Sequence, residues 1–392
     1  MRQLSIIEDG AALIRDGKIA AVGTSSQIEP LSGSEAEVIL ARGRTVLPGF
    51  VDAHTHPVFA GTREDEYEMR SAGVSYQEIV ARGGGILSTV RKTRAASEDE
   101  LLQLALARAR RFLEHGTTTI EAKSGYGLTT ADELKILRVI NKLNFETPLE
   151  LVPTFLGAHQ VPEEFVGGSR YRYIELILEE MLPAVAASNL ARYCDVFCER
   201  GAFSLEESRL VLSRAKELGL GMRIHAEQFS RCGGARLAVE LGAASADHLE
   251  YIDREDIELL SRAGLVAILL PGATFNLGLA RYAPARALID GGAAVALATD
   301  FNPGSSPTFS MQMVLSIACS QMNMTPAEAI TAATINAAHS LGLAGRLGSI
   351  EEGKQADLVI LDCPDYRQIP YFYGINHAEI VIKRGQIVFQ RA

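Results

Sequence analysis

The chain has 392 residues, 47% of them hydrophobic, enough for one large domain and a smaller one with a full core. Its formal net charge of -10 argues against nucleic acid or an anionic membrane as the main partner, since both need a basic surface, and charges interrupt every apolar run before transmembrane length. Its 5 cysteines form no CxxC pair and no even framework, and the opening MRQLSIIEDGAALIRDG lacks the regions of a signal peptide, so a reducing cytoplasm is expected.

The segment IIEDGAALIRDGKIAAVG places Asp16 and Gly17 between alternating stretches, the pattern of a hairpin. From Thr45 onward, short apolar runs alternate with helical patterns. They are TVLPGFVDAHTH, TTTIEAKSGYG, LELVPTFLGAH, RYCDVFCE, GMRIHAEQ, SADHLE, LVAILLPGA and AAVALATD, ending at His56, Gly127, His159, Glu199, Gln228, Glu250, Ala273 and Asp300. Ser97 with Glu100, Thr130 with Glu133, Ser204 with Glu207, and Thr325 with Pro326 and Glu328 read as capping boxes that start the intervening helices. GKQADLVILDC and AEIVIKRGQIVF then repeat the strand-turn-strand character of the start. The expected architecture is α/β: a (β/α)8 TIM-type barrel over residues 48–345, with residues 1–47 and 346–392 pairing as a small β domain. An open doubly wound sheet is the alternative, although no GxGxxG follows the first strand.

In such a barrel the strand ends share one mouth. His54 and His56 end the first run two residues apart, so their side chains leave the strand on one face. His225 ends the fifth run, His248 the sixth and Asp300 the eighth. A lone strand-end histidine is ordinarily a satisfied core residue, but unrelated packing needs would not place all five groups on one rim. Imidazoles with one carboxylate are the donor set of zinc or ferrous iron, with an open position for water.

The pattern GFVDAHTH, HAEQ, SADHLE and ATDFNPG resembles the amidohydrolase superfamily, metal-dependent hydrolases built on this barrel with a small β-sandwich from both tails. Within it, FAGTREDEYEMRSAGVSYQEI, ARGGGI, TTTIEAKSGYGL, FLGAHQVP, ADHLEY, LLPGATF and ATDFNPGSSP resemble the imidazolonepropionase family from about residue 5 to the C-terminus. The resemblance implies His54, His56, His225 and Asp300 as ligands of one divalent ion, Zn2+ or Fe2+, with His248 as a catalytic partner beside it. Members with two metals often bridge them with a carboxylated lysine at the fourth strand, which RYCDVFCE does not offer. Glu199 is read there as a hydrogen-bonding residue rather than a bridge.

The function implied is hydrolysis of 4-imidazolone-5-propanoate, an anionic heterocycle, to N-formimidoyl-L-glutamate in histidine breakdown. Arg63, just after the HxH run, suits the substrate carboxylate because a guanidinium offers paired donors and stays charged. The resemblance gives Tyr126 and His159 the role of orienting the ring and tail, and places Asn302, Gly304 and Ser305 in a substrate-contacting loop. The expected mechanism has water attack the ring carbonyl while Asp300, helped by His248, moves its proton to the leaving nitrogen. Deaminases of this superfamily often carry His-x-x-Glu at strand five, whereas Gln228 stands here, which favours ring opening over deamination; Glu227 is the alternative proton carrier. A noncatalytic binding protein on the same fold is the reading from another class. Family members usually carry another strand before the segment resembling LSIIEDGA, so a missing edge strand or a late start is expected. A homodimer is implied by resemblance alone.

Overall fold

The computed structural model describes residues 1–74, 78–79 and 82–392; SYQ within FAGTREDEYEMRSAGVSYQEI, and the Ala81 that opens ARGGGI, lie outside them. The first strands, β1 (Gly10–Arg15) and β2 (Lys18–Thr24), form an antiparallel ribbon. Asp16 and Gly17 both take positive φ, 51° and 74°, which gives the two-residue turn the hand that matches strand twist.

The run TVLPGFVDAHTH forms two strands rather than one: β3 (Thr45–Pro48) and β4 (Phe50–Asp52). Pro48 lacks an N–H and ends the first, and at Gly49 a side chain would meet Thr118 Cβ at 2.9 Å. β4 opens a barrel of parallel strands continued by β5 (Thr117–Lys123), β6 (Glu150–Ala158), β7 (Tyr193–Cys198), β8 (Gly221–Ala226), β9 (Ser245–His248), β10 (Val266–Leu269) and β11 (Ala294–Leu297), hydrogen-bonded in that sequence. The seam between β4 and β11 is shut at the mouth: Thr55 bridges Phe301, His56 N donates to Phe301 O at 2.8 Å, and Asp300 N donates to His54 O at 3.1 Å. Asp52 Oδ1 and Oδ2 accept from the Thr299 amide and hydroxyl just below.

β10 stops at Leu269, short of the expected Ala273, because Pro271 opens a helix that runs to Asn276. The helix Glu98–Glu114 is capped by Ser97 and Glu100 as expected, and buries Leu101, Leu102, Ala105, Ala109, Phe112 and Leu113 at helical spacing. The start of the helix Thr130–Glu146 differs from expectation. Thr129, not Thr130, is its cap, accepting from Asp132 N, while Glu133 is turned inward and accepts from the amides of Gly125, Gly127 and Leu128. That carboxylate fixes the loop after β5.

β12 (Leu358–Leu361), β13 (Ala378–Lys383) and β14 (Gln386–Gln390) join β3 in an antiparallel sheet ordered β14-β13-β12-β3. Leu358, Ile360, Ile380 and Ile382 are buried on one face of it, with Ile14 of the ribbon packed against them. From β13, Lys383 ion-pairs with Asp357 at 2.8 Å and with Glu150 at the foot of β6 at 3.2 Å, so this sheet is tied to the end of the barrel opposite the mouth.

Candidate metal centre at the barrel mouth

The five strand-end groups converge. One nitrogen each from His54, His56 and His225 lie within 4.8 Å of one another, and so do ligand atoms of His54, His248 and Asp300. Asp300 Oδ1 is 3.6 Å from His54 Nε2 and 3.7 Å from His56 Nε2. All are buried, and His54 Nε2 has no hydrogen-bond partner. A buried donor or acceptor left unsatisfied costs about 1–3 kcal/mol, so this orphan atom facing a carboxylate and two imidazoles fits a cation's coordination shell better than a packed core.

The backbone is bent to make this arrangement. Glu227, His248, Leu249 and Asp300 take φ of 52°, 82°, 70° and 53°, the left-handed region that side chains disfavour, all just where the strands deliver residues to the mouth. Burial holds His54 and His56 well below the usual imidazole range, and lowers His225 to about 4 against the opposing charge of Asp195. These rings are therefore neutral at working pH, as ligands must be. Burial raises Asp300 to about 6, with Glu250 adding to it while His248, Asn302 and Ser305 pull the other way. For His248, burial favours the neutral ring, but Glu250 and Asp300 outweigh it and its pKa rises.

Under these five side chains lies a group of charges that the sequence reading missed. Glu121, Lys123, Asp195, Arg223 and Asp247 are fully buried inside the barrel. Asp247 Oδ2 meets His54 Nδ1 at 2.6 Å and Asp195 Oδ2 lies 3.0 Å from His225 Nδ1. Lys123 Nζ donates to Asp195 at 2.6 Å and Glu121 at 2.9 Å, and Arg223 Nε sits 2.9 Å from Glu121. Lys123 is enclosed by carboxylates that outweigh burial and raise its pKa.

The remaining expected residues line the same mouth, with differences in what their side chains do. Tyr126 is buried, its ring 5.9 Å from His56 and 5.4 Å from His159, and burial pushes its phenol well above the ordinary range. His159 stacks on His56 at 5.3 Å, takes Gly125 O at 3.0 Å through Nδ1, and is lowered by burial to about 4. Asn302 is committed to its own loop: its oxygen accepts from Gly304 N and Ser305 N, and its amide donates to Asp300 O. Ser305 Oγ donates to Asp300 Oδ2 at 3.2 Å. Gln228 is buried at the end of the HAEQ segment, whereas Glu227 is turned away and accepts from Gly233, Gly234 and Ala235. Both carboxylate oxygens of Glu227 are thereby committed to that loop. Glu199 is likewise occupied, accepting from the amides of Phe229 and Ser230.

Arg63 is already half-paired: Nε and Nη2 donate to Glu66 Oε2 at 3.0 and 2.7 Å. Its guanidinium lies against Gly304, where a Cβ would come within 2.6 Å of Cζ. Gly304→Ala is therefore expected to push Arg63 off this seat, raising KM by about tenfold with little change in kcat, since one displaced charged contact is worth about 1.5 kcal/mol. Steady-state kinetics check it; an unchanged KM would place Arg63 outside the binding site.

A profile of the amidohydrolase family matches residues 45–388. The chain is 56% identical to an imidazolonepropionase of Solibacter usitatus (strain Ellin6076), covering 100% of this chain and 94% of that one. It is 51% identical to an imidazolonepropionase of Symbiobacterium thermophilum, covering 99% and 92%. Among solved structures it resembles a 5-methylcytosine deaminase from Klebsiella pneumoniae liganded with phosphonocytosine, with TM-score 0.75 and 18% identity over 97% of this chain and 95% of that one. An adenosine deaminase from Xanthomonas campestris with bound zinc gives TM-score 0.72 and 19% identity over 99% and 90%. At such identities those structures speak for the fold. By the family profile and by its full-length kinship with the imidazolonepropionases, the chain belongs to the amidohydrolase family.

Proposed function

We infer that this chain opens the ring of 4-imidazolone-5-propanoate by hydrolysis, giving N-formimidoyl-L-glutamate in histidine degradation. The observation that carries the reading is the meeting of His54, His56, His225, His248 and Asp300 at one barrel mouth, in a chain 56% identical to an imidazolonepropionase along its whole length. Residues 48–345 are taken as the catalytic barrel and residues 1–47 with 346–392 as the small β domain. The cysteines are all unpaired, which suits an enzyme of the reducing cytoplasm. Among the described residues, no helix is long and apolar enough to cross a membrane.

His54, His56, His225 and Asp300 would hold one divalent ion, zinc or ferrous iron, since imidazole and carboxylate suit both. Such an ion supplies Lewis acidity and makes a neighbouring water more acidic. The chain's own groups do the rest. Asp300 accepts the proton of the water that attacks the ring carbonyl carbon, then gives it to the ring nitrogen as the C–N bond breaks and the carbonyl becomes the new carboxylate. His248, whose pKa Glu250 and Asp300 raise against burial, donates to the oxygen on which charge develops. Arg63 binds the propionate carboxylate, and Tyr126, His159 and Gln228 orient the ring. Asn302, Gly304 and Ser305 shape the loop: Asn302 and Ser305 hold Asp300, and Gly304 leaves room for Arg63.

The direct test incubates metal-analysed protein with imidazolone propionate, and separately with guanine, cytosine and hydantoins, following ring absorbance and ammonia. Loss of ring absorbance with formimidoylglutamate as product is expected. Ammonia release without ring opening would mark a deaminase, and bound metal with no turnover of any cyclic amide would mark a binding protein.

The pH dependence of metal uptake follows from the same site. Stripped of metal, the protein holds a proton on Asp300 below about pH 6, whereas His225 stays neutral down to about 4. Metal must displace that proton, so affinity should be flat above pH 6 and fall by about tenfold per pH unit below it. Chelator competition measures this. A slope persisting above neutrality would show that a different group titrates.

A further inference from the structure

We propose that Lys123 is a positioning residue for the metal centre: its ammonium ties together the carboxylates that stand behind His54 and His225, and so fixes both imidazoles with Nε2 free toward the ion. The inference rests on the reading of these histidines as ligands and extends it to a residue that touches neither of them. Lys123 Nζ bonds Asp195 Oδ2 at 2.6 Å and sits 3.8 Å from Asp247 Oδ2. Those same two oxygens lie 3.0 Å from His225 Nδ1 and 2.6 Å from His54 Nδ1. An ionised carboxylate only accepts, so Asp247 holds His54 as the Nδ1–H tautomer and leaves its Nε2 with a lone pair, and Asp195, 3.0 Å from a His225 Nδ1 that makes no other hydrogen bond, favours the same tautomer there. His54 Nε2 is a buried atom without a hydrogen-bond partner, 3.6 Å from Asp300 Oδ1.

The cluster also explains why a cation is needed there. Glu121, Asp195 and Asp247 are three buried carboxylates, and Arg223 reaches Glu121 at 2.9 Å but Asp247 only at 3.8 Å. Arg223 is further held by the backbone oxygens of Ala53 and Ser340. Among the described residues, Lys123 is the cation whose ammonium bonds both Glu121 and Asp195, the carboxylate that stands behind His225.

The test compares Lys123→Met with the charge-balanced pair Lys123→Met/Glu121→Gln, which removes one positive and one negative charge together. Metal dissociation constants come from chelator competition, histidine tautomers from 15N spectra of the metal-free protein, and folding from thermal melts. In whichever variant melts cooperatively, the metal constant is expected to weaken by about 10- to 100-fold, the range seen for partners of ligands, and His225 to lose its fixed Nδ1–H signal. Wild-type affinity and tautomers in a folded variant would overturn the proposal. So would collapse of both variants, which would place the ammonium's role in the fold itself. If wild-type protein bound metal normally but opened no imidazolone ring, the functional reading would fail while this inference stood.

Discussion

Asp300→Asn is expected to lower kcat by about a thousandfold or more, the scale on which a positioned acid-base group acts. Asparagine keeps the shape and one oxygen, and Ser305 Oγ, which donates to Asp300 Oδ2 at 3.2 Å, still has an acceptor within reach. What it cannot do is take a proton from water and return it to the leaving nitrogen. Asp300→Ala should additionally lose bound metal, because the carboxylate that faces His54 and His56 at 3.6 and 3.7 Å is gone. Turnover measured beside metal content separates these effects. Ordinary turnover in Asp300→Asn at full metal occupancy would sink the assignment of Asp300 as the proton carrier.

Arg63→Met is expected to cut kcat/KM by more than about a hundredfold, mostly through KM. Charged hydrogen bonds contribute about 1.5–3 kcal/mol each, and a carboxylate bound by a guanidinium commonly makes two. The loss is deepened by what remains: Glu66, buried and bonded to Gly85 N at 3.0 Å, would face the substrate carboxylate with no cation between them. Arg63→Met/Glu66→Gln should therefore recover part of the KM. An imidazolone lacking the propionate tail should be handled alike by parent and variant; if Arg63→Met impaired it equally, the residue would serve the ring chemistry or the fold instead.

The barrel and the meeting of its strand-end histidines with Asp300 were legible because both depend on short-range pattern. An apolar run ending in a polar residue marks a parallel strand whose C-terminal end faces the mouth, and two histidines at strand period mark a shared face. Two things escaped. TVLPGFVDAHTH was read as a single run, yet a proline without a donor and a glycine against Thr118 divide it between two sheets. The buried charges escaped because each sits singly in a run judged by its average polarity. Period two would have found them: Glu121 and Lys123, and Arg223 and His225, are pairs on one face of β5 and of β8. Charges at alternate positions inside an otherwise apolar strand are a signal of an interior polar network, whose partners come from other strands and are invisible locally. The partners of Glu227 are amides of a neighbouring loop, which no spacing rule connects, whereas Glu199 is the hydrogen-bonding residue it was read to be.

The seam where Asp52 meets Thr299, 247 positions along the chain, also carries the groups read as ligands: His54 and His56 on one lip, Asp300 on the other. During synthesis a ribosome exposes the two imidazoles long before it makes the aspartate. A half-finished polypeptide has a pair of donors but no cage, so scarce cations would not be sequestered by unfinished copies. Loading would be a late event, coincident with the ring's final stitch, and occupancy a marker of completed maturation.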